Sequence, residues 1–334
     1  MAHSDFNSVA GAHWPDLGGL AKILGQSAGH FASVPLAGIA ADSRKVREGF
    51  VFFAMPGNRA DGAEFIPAAV AAGAVAIVGQ GDRPADLDRM VGYLKVPDMR
   101  SGLSKAAAYF YPLQPDHVVA VTGTAGKTSV AEFTRQILAL CGRPAASLGT
   151  LGLIGPDGAD YAALTTPDPI MLHQILHRLS LDGVTHLAME ASSHGLDQCR
   201  LDAVKLEAAA FTNLTRDHLD YHPTIAAYFE AKMKLFEHLL PPGQPAIINM
   251  DGNRGSEAAV TAEMAGRHAV TVGKNGVDLA LLSVAPHAFG QHITYRYDAV
   301  EYSVHVPLMG TFQIENVLVA AGLALAMGEN PPDV

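Results

Sequence analysis

The chain has 334 residues, 49% of them hydrophobic and 17% charged, which gives core material for two domains and excludes an extended disordered chain. A formal net charge of −10 implies no basic surface for nucleic acid, so an anionic ligand must be met by a few locally gathered Lys and Arg. Two cysteines, Cys141 and Cys199, are too few for a disulfide framework, the opening MAHSDFNSVAGAHW lacks an apolar signal core, and no run of roughly 18 apolar residues occurs, so a cytoplasmic protein without membrane insertion is expected.

In chain order, Phe50 to Ala54 and Ala74 to Val78 read as strands, with a helix over Glu64 to Ala72 between them that Gly73 closes. Ser101 to Tyr111 reads as a further helix, so the first segment is a small α/β unit. Pro112-Leu-Gln-Pro-Asp116 then has the composition of a domain linker. Beyond it, Val118 to Val121 is a buried-strand pattern and Lys127 to Leu140 a helix, ended by Gly142 and Pro144. Apolar runs return at His186 to Met189, Ala208 to Phe211 and Ala246 to Asn249, with helical stretches at Pro169 to Leu181 and Thr224 to Leu240. This alternation predicts a mostly parallel sheet covered by helices. Leu279 to Leu308 is β-rich and alternating, and Ile314 to Met327 reads as a last helix.

The stretch Gly123-Thr124-Ala125-Gly126-Lys127-Thr128-Ser129 joins the strand at Val118 to the helix at Lys127. It lacks the first Gly of the common P-loop spelling, since Val121 stands there. The physical parts of a phosphate site remain. Backbone N–H groups line the turn, the helix N-terminus adds partial positive charge, Lys127 can neutralise phosphate oxygens and the Thr128 hydroxyl can meet Mg2+.

Ligands of a parallel sheet gather at the carboxyl ends of its strands. Glu190, followed by Ser192-Ser-His-Gly195, stands at one such end, Asn213 with Arg216-Asp-His218 at a second, and Asp251 at a third. A carboxylate and an imidazole near a triphosphate are possible metal ligands, although a single Glu or His in a loop is more often solvated surface. On local grounds Lys232 reads as a helix-surface lysine.

Taken together, Gly123-Thr-Ala-Gly-Lys-Thr128, Glu190-Ala-Ser-Ser-His-Gly-Leu196, Phe211-Thr-Asn-Leu-Thr-Arg-Asp-His-Leu-Asp-Tyr-His222 and Tyr228-Phe-Glu-Ala-Lys232 resemble the Mur ligases of peptidoglycan synthesis. The first segment agrees, because Asp42-Ser-Arg44, Gly49-Phe-Val-Phe52 and Gly57-Asn-Arg-Ala-Asp-Gly62 are similar to the UDP-binding domain of that family. The resemblance runs from about residue 37 to the end of the chain. It also accounts for the short phosphate loop, which in the family reads Gly-Thr-Asn-Gly-Lys-Thr; Ala125 replaces the Asn.

The Ser-Ser-His-Gly-Leu and Asp-His-Leu-Asp-Tyr-His spellings point to the branch that adds the third residue of the stem peptide, meso-diaminopimelate or L-lysine. The resemblance then implies an ATP-dependent amide ligase acting on UDP-MurNAc-L-Ala-D-Glu. ATP phosphorylates the D-Glu side-chain carboxylate, and the incoming amine attacks the acyl phosphate. By position, Thr128 and Glu190 are implied to hold Mg2+ at the ATP, and His218 to help hold a second. Lys232 matches a lysine carbamylated by carbon dioxide, which reverses its local reading, and Asn316 matches the Asn beside the adenine. Thr165, Thr166, Ser192, Gln198 and Arg200 match residues that hold the muramoyl-dipeptide, and Ser43, Asn58, Arg59 and Ala60 match the uridine-diphosphate pocket.

Two domains are expected, a substrate-binding one over 1–113 and an ATP-binding one over 114–334, in a monomer. The breaker cluster Asn330-Pro-Pro-Asp-Val334 falls where the family's third, amino-acid-binding domain begins, so that domain is expected to be absent. Two other readings remain. One is a relative of folylpolyglutamate synthase, which Asp42-Ser-Arg44 and Ser192-Ser-His-Gly-Leu196 speak against; the other is a non-catalytic fragment that binds the dipeptide and nucleotide without turnover.

Overall fold

The apolar runs become strands of two separate sheets. The computed structural model describes residues 15–57, 61–160, 165–218 and 220–334. These fall into two units, one ending at Pro112 and the other starting at Leu113.

In the first unit, α1 (Leu17–Ile23) starts on Asp16, whose carboxylate accepts the Gly19 N–H at 2.7 Å. Strands β1 (Gly38–Ala40), β2 (Phe50–Phe53), β3 (Ala76–Gly79) and β4 (Gly92–Lys95) form a parallel sheet in chain order. Between β2 and β3 lies α2 (Ile66–Ala71), and α3 (Met99–Phe110) follows β4 behind the cap Asp98. The predicted helix at Glu64 to Ala72 is shorter in the structure. Its first residues form a 3-10 turn, Gly62–Phe65, and α2 proper begins next to Pro67, whose fixed φ suits a first helical turn.

The second unit runs β5 (His117–Thr122), α4 (Lys127–Leu140), β6 (Ala145–Gly149), β7 (Gly152–Gly155), β8 (Gly158–Asp160), α5 (Pro169–Leu181), β9 (His186–Glu190), α6 (Ser193–Asp197) and β10 (Ala208–Phe211). It continues with α7 (Ile225–Lys234), β11 (Pro245–Asn249), α8 (Gly255–Met264), β12 (His268–Gly273), β13 (Leu279–His287), β14 (Gly290–Tyr297), β15 (Val300–Val306) and α9 (Thr311–Ala326). Among the described residues its sheet has eleven strands, in the order β15-β14-β13-β12-β11-β10-β5-β9-β6-β7-β8. The seven strands from β13 to β6 are parallel, and the outer pairs on either side are antiparallel.

The period of two along β5 sorts its side chains between two cores. Val118 and Ala120 pack with α5, α7 and α8 residues such as Leu172, Tyr228 and Ala258. Val119 and Val121 pack with α4 and α9 residues such as Val130, Leu138 and Leu318. Helices therefore cover both faces, and the chain's winding reverses beside β5, because β6 lies to one side of it and β10 to the other. In such a sheet the crevice at the carboxyl ends of the strands is the ligand-binding position. The single helix expected over Thr224 to Leu240 divides into α7 and a π-helical turn, Leu235–Leu239. No helix among the described residues is long and apolar enough to cross a membrane.

Candidate functional site

At the end of β5 the chain turns through Gly123 to Gly126 and enters α4. Gly126 has φ +89°, in the left-handed region, and a Cβ there would overlap the Asn316 side-chain oxygen. The opening N–H groups of α4 have no acceptor within the helix, and among the described residues no side chain caps them. They face outward from the turn as a partial positive charge.

The loop is held by the segment after β10. Thr124 N–H donates to the Asn213 carbonyl at 2.8 Å, and Ala125 N–H donates to the Asn213 side-chain oxygen at 3.1 Å. The Thr212 hydroxyl and the Asn213 amide donate to the Ala125 carbonyl at 2.7 and 3.2 Å. Ala125 thus meets its neighbours through its main chain, and the methyl group in place of an amide leaves these bonds intact. Thr215 N–H donates to Thr124 Oγ1 at 2.9 Å, and the Tyr228 hydroxyl lies 3.3 Å from the same oxygen.

Two amines converge on this turn. Lys127 Nζ curls back to donate to the carbonyls of Gly123 and Thr124 at 3.0 and 2.9 Å. Lys232, on α7, donates to the same Gly123 carbonyl at 2.7 Å and stands 4.4 Å from the centre of the Tyr228 ring. Lys232 is 1% exposed, so the surface position expected from its local sequence is corrected: α7 turns this side of the helix against the turn at Gly123. Burial, and then the neighbouring Lys127 ammonium, push the Lys232 amine down to about 6. Burial also lowers Lys127, against the pull of Glu190 and Asp217.

Glu190, at the end of β9, is buried and accepts the Thr128 hydroxyl at 2.8 Å. Its carboxylate also takes the Thr150 N–H at 2.7 Å and the Thr150 hydroxyl at 3.3 Å. The neighbouring strand makes room, because a Cβ on Gly149 would overlap that carboxylate. Thr128 and Glu190, named from the sequence 62 positions apart, therefore meet directly. Thr150 was missed there; its only signal is its place just after β6, at the same sheet edge.

A third set surrounds Thr166, whose hydroxyl donates to the Glu190 carbonyl at 3.0 Å and accepts the Ser192 N–H at 3.1 Å. Arg200 Nη1 donates to the Thr166 carbonyl at 2.5 Å, and its Nη2 and Nε donate to Gln198 Oε1 at 2.7 and 3.2 Å. The Thr165 and Thr150 hydroxyls lie 3.1 Å apart. The Ser192 hydroxyl caps α6 by accepting the Gly195 N–H at 3.1 Å. Residues Thr165, Thr166, Ser192, Gln198 and Arg200 thus form one polar cluster adjoining Glu190.

His218 sits in a turn at φ +52°, partly exposed, with its own neighbour Asp217 3.6 Å from its Nε2. Its ring lies 5.0 Å from that of His194 and 6.0 Å from that of Tyr228. His222 is buried beside them with no partner for Nε2 among the described residues; burial and then the His194 charge lower it. Ser129 lies in the first turn of α4, and Asn316, in α9, stands against Gly126 and donates to Gln313 Oε1 at 3.2 Å. Asn58, Arg59 and Ala60 lie outside the described residues. Ser43 opens a 3-10 turn capped by Asp42, which accepts the Arg44 N–H at 3.0 Å. The first unit has a cavity of about 390 Å³ lined by Pro56, Gly57, Gln80, Pro97, Asp98 and Arg100, again just beyond the carboxyl ends of β2, β3 and β4.

Comparison with known proteins identifies the family of the chain. Residues 121–324 match the Mur ligase middle domain, and residues 35–111 match the Mur ligase family, catalytic domain. The UDP-N-acetylmuramoyl-L-alanyl-D-glutamate--2,6-diaminopimelate ligase of Bradyrhizobium diazoefficiens is 50% identical over 91% of this chain and 63% of its own length. The protein of the same name from Brucella melitensis is 52% identical over 90% of this chain and 61% of its own. A solved structure of a ligase of that name superposes with a TM-score of 0.83 at 28% identity, covering 95% of this chain and 65% of that one. The chain spans 61 to 63% of the length of these curated relatives. With its middle-domain match extending over more than half of its residues, the chain belongs to the Mur ligase family.

Proposed function

We propose that this chain carries the UDP-substrate and ATP sites of a ligase that joins 2,6-diaminopimelate to UDP-MurNAc-L-Ala-D-Glu. The observation that carries the reading is the Thr128 hydroxyl on the Glu190 carboxylate at 2.8 Å, beside a phosphate loop with a lysine folded over it. The relatives' names supply diaminopimelate as the amino acid. Residues 1–113 hold the uridine-diphosphate end through Ser43, Asn58, Arg59 and Ala60, and the cavity past β2 to β4 supports a ligand position there. Residues 114–334 hold ATP on the loop from Gly123 to Ser129, with Asn316 at the adenine side.

The chemistry asked of the residues is to bring two anions together. A carboxylate is a poor electrophile and is repelled by a triphosphate. The outward N–H groups of α4 and the Lys127 ammonium take the phosphate oxygens, with Lys127 exchanging its two carbonyl partners for them. Arg200, held by Gln198 and the Thr166 carbonyl, places a guanidinium suited to a carboxylate of the dipeptide beside Glu190. The oxygen donors Thr128 and Glu190 suit a hard cation such as Mg2+, with His218 at a second position. Bound there, the cation supplies charge neutralisation for the transferring phosphoryl group.

Lys232 fits a carbamate. Only the neutral amine adds to carbon dioxide, forming an N–C bond and releasing one proton, and an amine lowered to about 6 is neutral at physiological pH. The product is an anion beside Lys127, which gains an attraction that the neutral amine lacks and retains one N–H for the Gly123 carbonyl.

Calorimetric titration with UDP-MurNAc-L-Ala-D-Glu, with Mg2+ and a non-hydrolysable ATP analogue present, tests the reading. Binding in the micromolar range, about −8 kcal/mol, together with weaker nucleotide binding in Glu190→Gln, supports it. Nucleotide binding without any heat from the UDP-dipeptide overturns the substrate assignment. Mass-spectrometric detection of the ATP-dependent amide product separates a ligase from a module that only binds.

A further inference from the structure

We infer that the antiparallel end of the large sheet carries a three-histidine site for a late first-row divalent ion such as Zn2+, Cu2+ or Ni2+. The site is formed by His287 on β13, His292 on β14 and His305 on β15. Their ring centroids are each 4.9 Å from the other two, and one ring nitrogen from each lies within 4.8 Å of the others.

The strand register produces the triangle. His292 pairs directly with His305 across β14 and β15, and His287 sits two residues beyond Ala285, the partner of His292 on β13. The period of two puts all three on one face, with Thr294 and Ser303, whose hydroxyls lie 3.0 Å apart, further along it. The opposite face carries Ile293, Tyr295 and Val306, packed in the core with α9. The backbone beneath the three rings is therefore pinned by a buried face, while the rings themselves are exposed and free to turn.

Imidazole nitrogen selects the metal class. Mg2+ and Ca2+ prefer oxygen, whereas Zn2+, Cu2+ and Ni2+ take imidazole readily. Zn–N bonds of about 2.0–2.1 Å in a tetrahedron need nitrogens roughly 3.3 Å apart. The nitrogens already lie within 4.8 Å of one another, and the three exposed rings can close towards that spacing by side-chain rotation. Three protein ligands leave one coordination position for water or another ligand. The oxygen donors Thr128 and Glu190 belong to a different segment and to a different kind of cation.

The test is calorimetric titration of tag-free protein with Zn2+, in excess Mg2+ and ATP analogue to occupy the phosphate loop. Wild type is compared with His292→Gln, His305→Gln and the control His238→Gln, and thermal melts verify that each variant is folded. The expected result is one equivalent of Zn2+ in wild type and the control. In both His292→Gln and His305→Gln the affinity falls by at least the ~10-fold that loss of even an outer-shell partner costs. Electron paramagnetic resonance of bound Cu2+ should show nitrogen ligands that diminish in the same two variants. No Zn2+ uptake, or uptake unchanged in either variant, overturns the three-ligand site.

Discussion

Replacing Lys232 by Met keeps the apolar stem of the side chain and removes a buried amine that titrates near 10.5 when unfolded and at about 6 in the fold. Between those two values the unfolded chain binds one more proton than the folded one, so stability rises with pH across the window and is lost as pH falls towards 6. The slope is about 1.4 kcal/mol per pH unit, or about 2 kcal/mol between roughly pH 7.0 and 8.5. For a unit of this size that corresponds to about 4–8 °C in Tm. Thermal melts of wild type and Lys232→Met, followed by circular dichroism in carbon-dioxide-free buffer, measure the difference in Tm across this range. Other titrating groups are common to both proteins and largely cancel, and the lost bond to the Gly123 carbonyl gives an offset without a slope. The Tm of wild type should climb relative to the variant, and added bicarbonate should raise it further in wild type alone. Tm curves that stay parallel to within about 2 °C would refute a neutral Lys232, and with it the carbamate.

Gly126→Ala places a Cβ against Asn316 at a left-handed φ; strain of about 1–3 kcal/mol and a loss of ATP-analogue affinity of about 10-fold or more are expected by calorimetry. Arg200→Lys gives up the planar fork that holds Gln198 and the Thr166 carbonyl, so UDP-MurNAc-L-Ala-D-Glu should bind about 10-fold more weakly while the nucleotide analogue binds as before. His173 on α5 is buried, its Nε2 has no partner among the described residues, and burial pushes it down to about 4. His173→Leu should stabilise the chain by about 1 kcal/mol at neutral pH. Because the unfolded histidine takes up a proton near 6.5 and the folded one only near 4, wild-type stability falls as pH drops through that window. The advantage of the variant should therefore grow by roughly 2–3 kcal/mol towards pH 4.5, as read by urea denaturation.

The parts of this fold that were legible in the sequence are those set by local pattern. The runs at Val118, His186 and Ala208 are strands because a parallel strand covered on both faces is apolar throughout, and β5, β9 and β10 stand close to where those runs were read. The strand, glycine turn and helix around Gly-Lys-Thr were legible because they are contiguous in the sequence. Thr128 and Glu190 could be named, but their contact depends on β9 lying next to β5, which is a matter of sheet order. Lys232 was misjudged on local grounds because its burial is decided by what α7 packs against, and no helical period announces that partner. Thr150 and Thr212 were not singled out, since their hydrogen bonds to Glu190 and to the Ala125 carbonyl depend on which strands are neighbours and no local pattern marks them. The three histidines of β13 to β15 are spread over 19 positions of sequence, and only the register of two hairpins brings them together.

Gly149 bears none of the chemistry proposed for this site, yet its missing methyl group is the space that the Glu190 carboxylate occupies. The two positions are therefore linked in the order in which they can change. An alanine at 149 should be rejected while glutamate stands at 190, and tolerated only once that side chain has shortened or swung aside. A screen for second-site suppressors of Gly149→Ala should accordingly return changes at position 190 or at its partners Thr128 and Thr150.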